Sequence, residues 1–182
     1  ATWAYFGILF LFAFTVGIYG SGPASEKTFV NSPHAIATML AIMSIFQILM
    51  ASAIMGVPIY RDLEYQTKDY FFTYPIREKA YFMGRYLGSF VILFIVCTGF
   101  IFGLWSGEPL GLLSGEIEPE RYGPFKLSHY LYPLLVITLP NIFFSGTIFF
   151  ALVALTRKIL STYVASVLLF IGYLVAVTLS QD

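Results

Sequence analysis

The residues best suited to chemistry lie in one charged segment, 61–85, between two long apolar runs. Within it, charged side chains stand close to two adjacent phenylalanines: Arg61, Asp62, Glu64, Lys68, Phe71 and Phe72. Aromatic side chains surrounded by charges are typical of protein–protein interfaces, where the aromatic groups anchor the contact. The segment therefore predicts a docking surface for a protein partner rather than a catalytic site.

Helical spacing gives this segment two different faces. At about 100° per residue, one face carries Leu63, Thr67, Tyr70 and Tyr74, while Arg61, Glu64 and Lys68 lie opposite. Pro75 cannot continue a helix, so we expect an amphipathic helix over 61–74. One alternative is a helix that only lies on lipid headgroups. Phe71 and Phe72 project toward the charged face, which favours a protein groove instead.

Motifs for catalysis and metal binding are missing from the chain. It has no Gly-rich phosphate loop ending in Lys-Ser/Thr and no H-E-x-x-H, so we expect any ATP hydrolysis or peptidase activity to lie elsewhere. Cys97 is the single cysteine, and neither His34 nor His129 has a second ligand one helical turn away, so we expect no metal site. The zero net charge gives no indication of a nucleic-acid partner.

Five uncharged runs must position the docking segment: 1–25, 28–60, 86–107, 127–156 and 159–181. About 20 apolar residues suffice for a helix to cross the hydrocarbon core. Only 11% of the residues are charged, against about 25% in soluble domains, so a soluble fold would have too little polar surface. We therefore predict an all-α polytopic membrane bundle. The expected spans are about 2–20, 35–59, 82–105, 130–155 and 160–180.

The positive residues alternate between successive loops. The loops at 61–85 and 156–159 hold seven Lys and Arg residues, while 21–34 and 106–129 hold three: Lys27, Arg121 and Lys126. Positive residues favour the cytoplasmic side, so we expect 61–85 and the N-terminus in the cytosol. The loop 106–129, which carries Glu108, Glu116, Glu118 and Glu120 among turn-forming residues, is then expected outside.

Polar and small residues inside the spans suggest contacts between helices. Gln47 and Asn141 are expected to form interhelical hydrogen bonds or, as the weaker alternative, to line a substrate pathway. Pro133 and Pro140 are expected to kink the fourth span. The spacing of Gly99, Gly103 and Gly107, like that of other small residues in the spans, favours close helix approach. Apart from Arg85, near the start of the span 82–105, no charged residue lies inside a predicted span, which argues against a proton- or ion-coupled carrier.

The docking segment carries a resemblance to a known family. An apolar span is followed by R-D-L-E, then by F-T-Y-P-I-R-E-K, and the next span opens with G-R-Y-L-G. This order resembles the type-2 ABC exporter permeases, and the matching residues are Arg61, Glu64, Pro75, Arg77, Lys79, Gly84 and Arg85. The likeness extends to bacterial permeases fused to a metallo-aminopeptidase-like region, through Tyr5–Phe10, Arg61–Glu64, Thr73–Ile76 and Gly84–Arg85.

The resemblance implies a function and a set of partners. It makes 61–74 a coupling helix that docks on an ATP-binding subunit, with ATP and Mg²⁺ held there and no cofactor on this chain. It implies a second permease domain in a homodimer or heterodimer and a place in the bacterial inner membrane. The family has six spans, so a sixth is expected beyond Asp182, and the chain is expected to be part of a longer protein. The alternatives are a membrane scaffold that docks a cytosolic partner and, with little support, an intramembrane enzyme.

Overall fold

The computed structural model describes residues 2–20, 28–65 and 77–179, and every regular element in these ranges is helical. The α-helices are α1 (Thr2–Tyr19), α2 (Pro33–Met55), α3 (Val57–Glu64), α4 (Glu78–Ser114), α5 (Ser128–Pro133), α6 (Leu139–Thr156) and α7 (Leu160–Leu179). A short 3₁₀ helix, Pro119–Arg121, follows α4, and a π-helical stretch, Leu134–Thr138, joins α5 to α6.

Helix length and composition agree with a membrane protein. Four helical stretches are long and apolar enough to cross a bilayer, namely Thr2–Tyr19, Pro33–Glu64, Glu78–Ser114 and Ser128–Thr156, and Leu160–Ala176 forms a shorter apolar stretch. Large apolar side chains lie exposed along these helices, including Leu11, Ile95 and Leu168. The prediction of an all-helical chain with several apolar helices of spanning length is confirmed.

The chain divides into two compact units. Unit 1 comprises 1–44 and 94–140, and unit 2 comprises 45–93 and 141–182. The core of unit 1 combines residues from α1, α2, α4, α5 and the π-helical stretch: Ala13, Ile36, Met39, Leu40, Met43, Phe100, Ile101, Leu104, Tyr130 and Leu134.

A row of glycines brings α4 against α1 inside unit 1. Gly103, Gly107 and Gly111 face the backbone of α1. A Cβ at Gly107 would lie 2.3 Å from the carbonyl oxygen of Phe14, and one at Gly103 or Gly111 would lie 2.4 or 2.2 Å from other α1 carbonyl oxygens. These distances leave no room for any side chain, so the predicted close approach is confirmed.

Close contacts also set the geometry of unit 2, where α2 gives way to α3. Gly56 separates the two helices, and a Cβ there would lie 2.6 Å from the side chain of Val153. The hydroxyl of Thr162 donates to the backbone oxygen of Ser52 at 3.3 Å. Pro58, in the first turn of α3, fits a position where the backbone N–H has no helical acceptor. The new helix therefore starts at a point fixed by packing against α6 and α7.

Two sequence predictions meet the structure at element boundaries. The loop expected over 106–129 begins later, because α4 continues to Ser114 and includes Pro109. Between Pro133 and Pro140, where the sequence predicts a kink, the helical hydrogen bonding changes to the π-helical stretch Leu134–Thr138. Of the helix predicted over 61–74, residues 61–64 belong to α3, which begins earlier, at Val57, and 66–76 lie outside the described residues.

Candidate functional sites

An ion pair fastens α3 to the beginning of α4 within unit 2. One guanidinium nitrogen of Arg85 lies 2.7 Å from Oδ2 of Asp62 and 2.8 Å from Oδ1. The hydroxyl of Tyr81 donates to Oδ2 of the same carboxylate at 2.5 Å. Arg85 also lies over the Tyr81 ring, 5.7 Å from its centroid. We call this group of three residues, Asp62, Tyr81 and Arg85, the α3–α4 clamp.

Burial makes the clamp more than a surface contact. Asp62 is only 8% exposed, so its charge requires compensation from nearby donors. Helical spacing explains how two donors converge, because Tyr81 and Arg85 are one turn apart and lie on the same face of α4. The clamp thus joins two helices that are separated in sequence by the undescribed residues 66–76.

The predicted docking residues occupy different positions around α3. Arg61 and Glu64 are exposed, as a docking surface requires. Asp62 was expected beside them, but its carboxylate turns inward and binds Arg85 and Tyr81 of its own chain. Lys68, Phe71 and Phe72 lie outside the described residues. The structure thus places Asp62 on the buried side of α3, where it fastens that helix to α4, and not beside Arg61 and Glu64 as the sequence interpretation expected.

The two polar residues predicted at depth have different surroundings in unit 2. Gln47 is 5% exposed, and its Nε2 has no hydrogen-bond partner among the described residues. Asn141 is exposed, and its backbone oxygen accepts a hydrogen bond of 2.6 Å from Ser145. No described hydrogen bond joins Gln47 to Asn141 or to another helix, so the expected interhelical bonding is not observed for the described part of the chain.

Unit 1 contains a buried carboxyl group that the sequence interpretation placed in a loop. Glu108 lies in α4 and is only 2% exposed. The hydroxyl of Tyr130, itself 1% exposed, donates a hydrogen bond to Oε2 of Glu108. Glu108 lies three residues beyond the predicted span 82–105, in the part of α4 that was expected to be an outside loop.

The segment after α4 closes over this carboxyl group. Asn31 holds the segment through two hydrogen bonds with Gly123, donating to its oxygen at 2.7 Å and accepting from its N–H at 2.9 Å. A third bond runs from the N–H of Val30 to the oxygen of Arg121 at 2.9 Å. We call residues 115–127 the cap, and these bonds tie the cap to the residues preceding α2.

Tyr122 is the cap residue whose side chain lies near Glu108 and Tyr130. Burial, reinforced by the negative charge of Glu108 when that group is ionised, raises the pKa of Tyr122, and the neighbouring Asn31 and Tyr130 side chains partly oppose the shift. The Tyr122 hydroxyl therefore stays protonated at neutral pH and is able to donate a hydrogen bond. Tyr130 and Glu108 form a hydrogen-bonded pair in unit 1, and Tyr122 and Asn31 lie close to it; we call these four polar residues the Glu108 network.

A small cavity of about 20 Å³ borders Glu108. Its remaining lining is apolar or glycine: Val16, Gly17, Gly20, Val30, Ala35, Ile36, Met39 and Leu104. A volume of roughly 10–15 Å³ is enough for one water molecule. The carboxyl thus has one tyrosine hydroxyl on one side and a water-sized space on the other.

A signal for the Glu108 network was present in the glycine spacing. The four-residue repeat that includes Gly103 and Gly107 continues to Gly111, which predicts that the helix passes through 108. The turn-forming residues Pro109 and Gly111 favoured a loop instead. No local pattern in the sequence predicts that Tyr130 is the partner of Glu108, because the two residues are 22 positions apart.

Neither site has the composition of a catalytic or metal centre. In the ranges that the structure describes, no group of three or more His, Cys, Asp or Glu side chains is placed to hold a metal ion. The clamp can transmit force between two helices, and the Glu108 network can hold a proton or donate hydrogen bonds. A comparison of the chain with protein-family models, curated proteins and solved structures finds no match.

Proposed function

We propose that this chain is a membrane permease domain of an ATP-driven exporter of the ABC type. The observation that carries the proposal is the α3–α4 clamp, in which Asp62 joins a short amphipathic helix directly to the start of a long apolar one. A transporter that takes its energy from a separate subunit requires such a connection between its docking element and its spanning helices.

The clamp supports a lever mechanism. Arg61 and Glu64 present charge on the exposed side of α3, while Asp62 on the buried side binds Arg85 of α4. A partner that pushes on α3 would therefore move the beginning of α4 with it, because separating Arg85 would leave the buried Asp62 carboxylate without its opposite charge. Alternating access would follow from the motion of two such permease domains against each other.

The proposed setting follows from the charge distribution. Seven of the ten Lys and Arg residues lie in 61–85 and 156–159, which favours the cytosol for these segments and for the N-terminus. The partner is an ATP-binding subunit that holds ATP and Mg²⁺, and the membrane is the bacterial inner membrane. A scaffold that docks a cytosolic protein without nucleotide is the competing function.

The proposal is tested by purifying the intact parent protein from native membranes and assaying ATPase activity in the preparation. We expect a stoichiometric ATP-binding subunit. The double variant Phe71→Ala/Phe72→Ala is expected to lose that subunit and its coupled ATPase activity, because truncating the residues that anchor an interface costs about 2 kcal/mol or more each.

The matched control is Phe143→Ala/Phe144→Ala, which removes an adjacent pair of exposed phenylalanines from α6. It should retain the subunit and the ATPase rate. A partner without nucleotide-binding activity would favour the scaffold function. Equal retention of the subunit by the Phe71/Phe72 variant and wild type would exclude these residues from docking.

A further inference from the structure

Glu108 is buried without an opposite charge among the described residues. The ion pair in the described part of the chain is that of Asp62 with Arg85, in the other unit. Placing an isolated carboxylate in a low-dielectric interior costs many kcal/mol, and such groups are usually paired, bound to a metal or neutralised by a proton. The surroundings of Glu108 distinguish these three possibilities.

The groups that face Glu108 are few. Tyr130, from α5, donates to its Oε2, and Tyr122, from the cap, lies close enough for the charge of an ionised Glu108 to raise its pKa. The cavity lining from α1, the residues before α2 and α2 itself is apolar or glycine. Two further ionisable groups belong to this part of unit 1. His129 has its Nδ1 3.1 Å from the backbone oxygen of Asn31, and Arg121, in the cap, has a buried Nε without a hydrogen-bond partner among the described residues.

These surroundings do not fit a metal ion. Ca²⁺ takes six to eight oxygen ligands and Mg²⁺ requires near-octahedral oxygen coordination. The side chains that line the cavity offer a single carboxyl group among apolar atoms. A proton needs only the carboxyl oxygen itself and an adjacent donor or acceptor.

We propose that the Glu108 carboxyl is a proton-binding site beneath the cap, with Tyr130 as its hydrogen-bonding partner. A proton taken up by the carboxylate gives a neutral carboxylic acid, and its release restores the carboxylate. The water-sized cavity beside Glu108 provides space for the molecule that delivers or accepts that proton. The site stands on the geometry of unit 1 and does not depend on the proposed exporter function.

Infrared spectroscopy tests the site on the intact protein reconstituted in lipid bilayers. A carboxylic acid has a C=O stretching band that is separate from the bands of a carboxylate and that shifts in D₂O. We expect wild type to show this band at neutral pH, and Glu108→Gln to lose it. The control is Glu118→Gln, which changes an exposed acidic residue of the cap and should leave the band unchanged.

A second variant keeps the test valid if Glu108→Gln does not fold. Tyr130→Phe retains the carboxyl group and removes its hydroxyl donor, so the band should persist and move toward the frequency of a carboxyl with one fewer hydrogen bond. The proposal is overturned if wild type has no carboxylic-acid band at neutral pH. A wild-type band that stays unshifted in Tyr130→Phe would likewise contradict it.

Discussion

Two buried carboxyl groups, Asp62 and Glu108, are compensated differently by their surroundings. The Asp62 carboxylate binds the guanidinium of Arg85 through both of its oxygens and accepts a hydrogen bond from the Tyr81 hydroxyl. The Glu108 carboxyl accepts a hydrogen bond from the Tyr130 hydroxyl alone. Because a buried charge needs a compensating charge or a proton, the first is suited to a permanent structural link. The second is suited to a change of protonation state.

The clamp predicts a specific loss of stability when its carboxylate is neutralised. Asp62→Asn keeps the size of the side chain but removes the charge that Arg85 binds. Hydrogen bonds to charged groups contribute about 1.5–3 kcal/mol, so we expect a fall of this order in the free energy of unfolding. Thermal unfolding of the purified protein in detergent would measure it.

The control for this variant is Glu64→Gln, which makes the same chemical change on the exposed side of α3. Substitutions of surface residues usually change the free energy of unfolding by less than about 0.5 kcal/mol, so this variant should unfold at nearly the same temperature as wild type. If the two substitutions lowered the free energy of unfolding equally, the α3–α4 clamp would contribute no more to stability than an exposed carboxylate does.

At the scale of elements, α1 and α4 pack through backbone rather than side chains. The glycines of α4 allow carbonyl oxygens of α1 to approach where a methyl group would not fit. In an apolar environment, such close approach supplies van der Waals contact that replaces the missing hydrophobic driving force between helices. The same contact places Glu108, adjacent to Gly107, in the interior of unit 1.

Alanine substitutions at two glycines of α4 should therefore have different effects on stability. Gly107→Ala adds a Cβ 2.3 Å from the Phe14 oxygen, and overpacking of this kind costs about 1–3 kcal/mol. Gly88→Ala meets nothing within 4 Å, so it should be neutral or stabilise by up to about 1 kcal/mol through helix propensity. Unfolding midpoints of the two variants against wild type would measure the difference, and equal shifts would contradict the α1–α4 packing.

The sequence predicts some elements better than others, for physical reasons. Apolar run length identifies α1, α2, α4 and α6, because helix rise and bilayer thickness together set a minimum length. The end of α4 was misplaced, since Pro109 and Gly111 break helices in water but are tolerated where packing fixes the backbone. The composition of a segment does not show whether it will pack against another helix.

Among the candidate residues, those that depend on local pattern were predicted and those that depend on pairing were not. Arg61 and Glu64 are exposed on α3, as the helical spacing indicates. Asp62 was expected on the same docking surface but is buried, because Arg85 binds it from a helix beyond the intervening segment. The Tyr130 partner of Glu108 likewise depends on folding that brings distant segments together.

At the scale of the whole molecule, the alternation of positive charge predicts which segments share a side of the membrane. Seven of the ten Lys and Arg residues lie in 61–85 and 156–159. One apolar stretch of spanning length separates the cap from each of these two segments, so the cap is predicted on the opposite side of the membrane. Glu64 and Glu118 are both exposed, so each offers a position for a reporter. Cys97 is buried and would be replaced by Ser to give a background without native thiols.

On that background, Glu64→Cys should be protected from a membrane-impermeant maleimide in intact spheroplasts and become labelled when the membrane is opened. Glu118→Cys should react in both conditions, because the cap is predicted outside. The Cys97→Ser parent, which should remain unlabelled throughout, is the control for the reagent. Labelling of both positions in intact spheroplasts would contradict the charge argument. The opposite pattern, with only Glu118→Cys protected, would place α3 outside the cell, where an ATP-binding subunit has no access, and would exclude the exporter function together with the orientation.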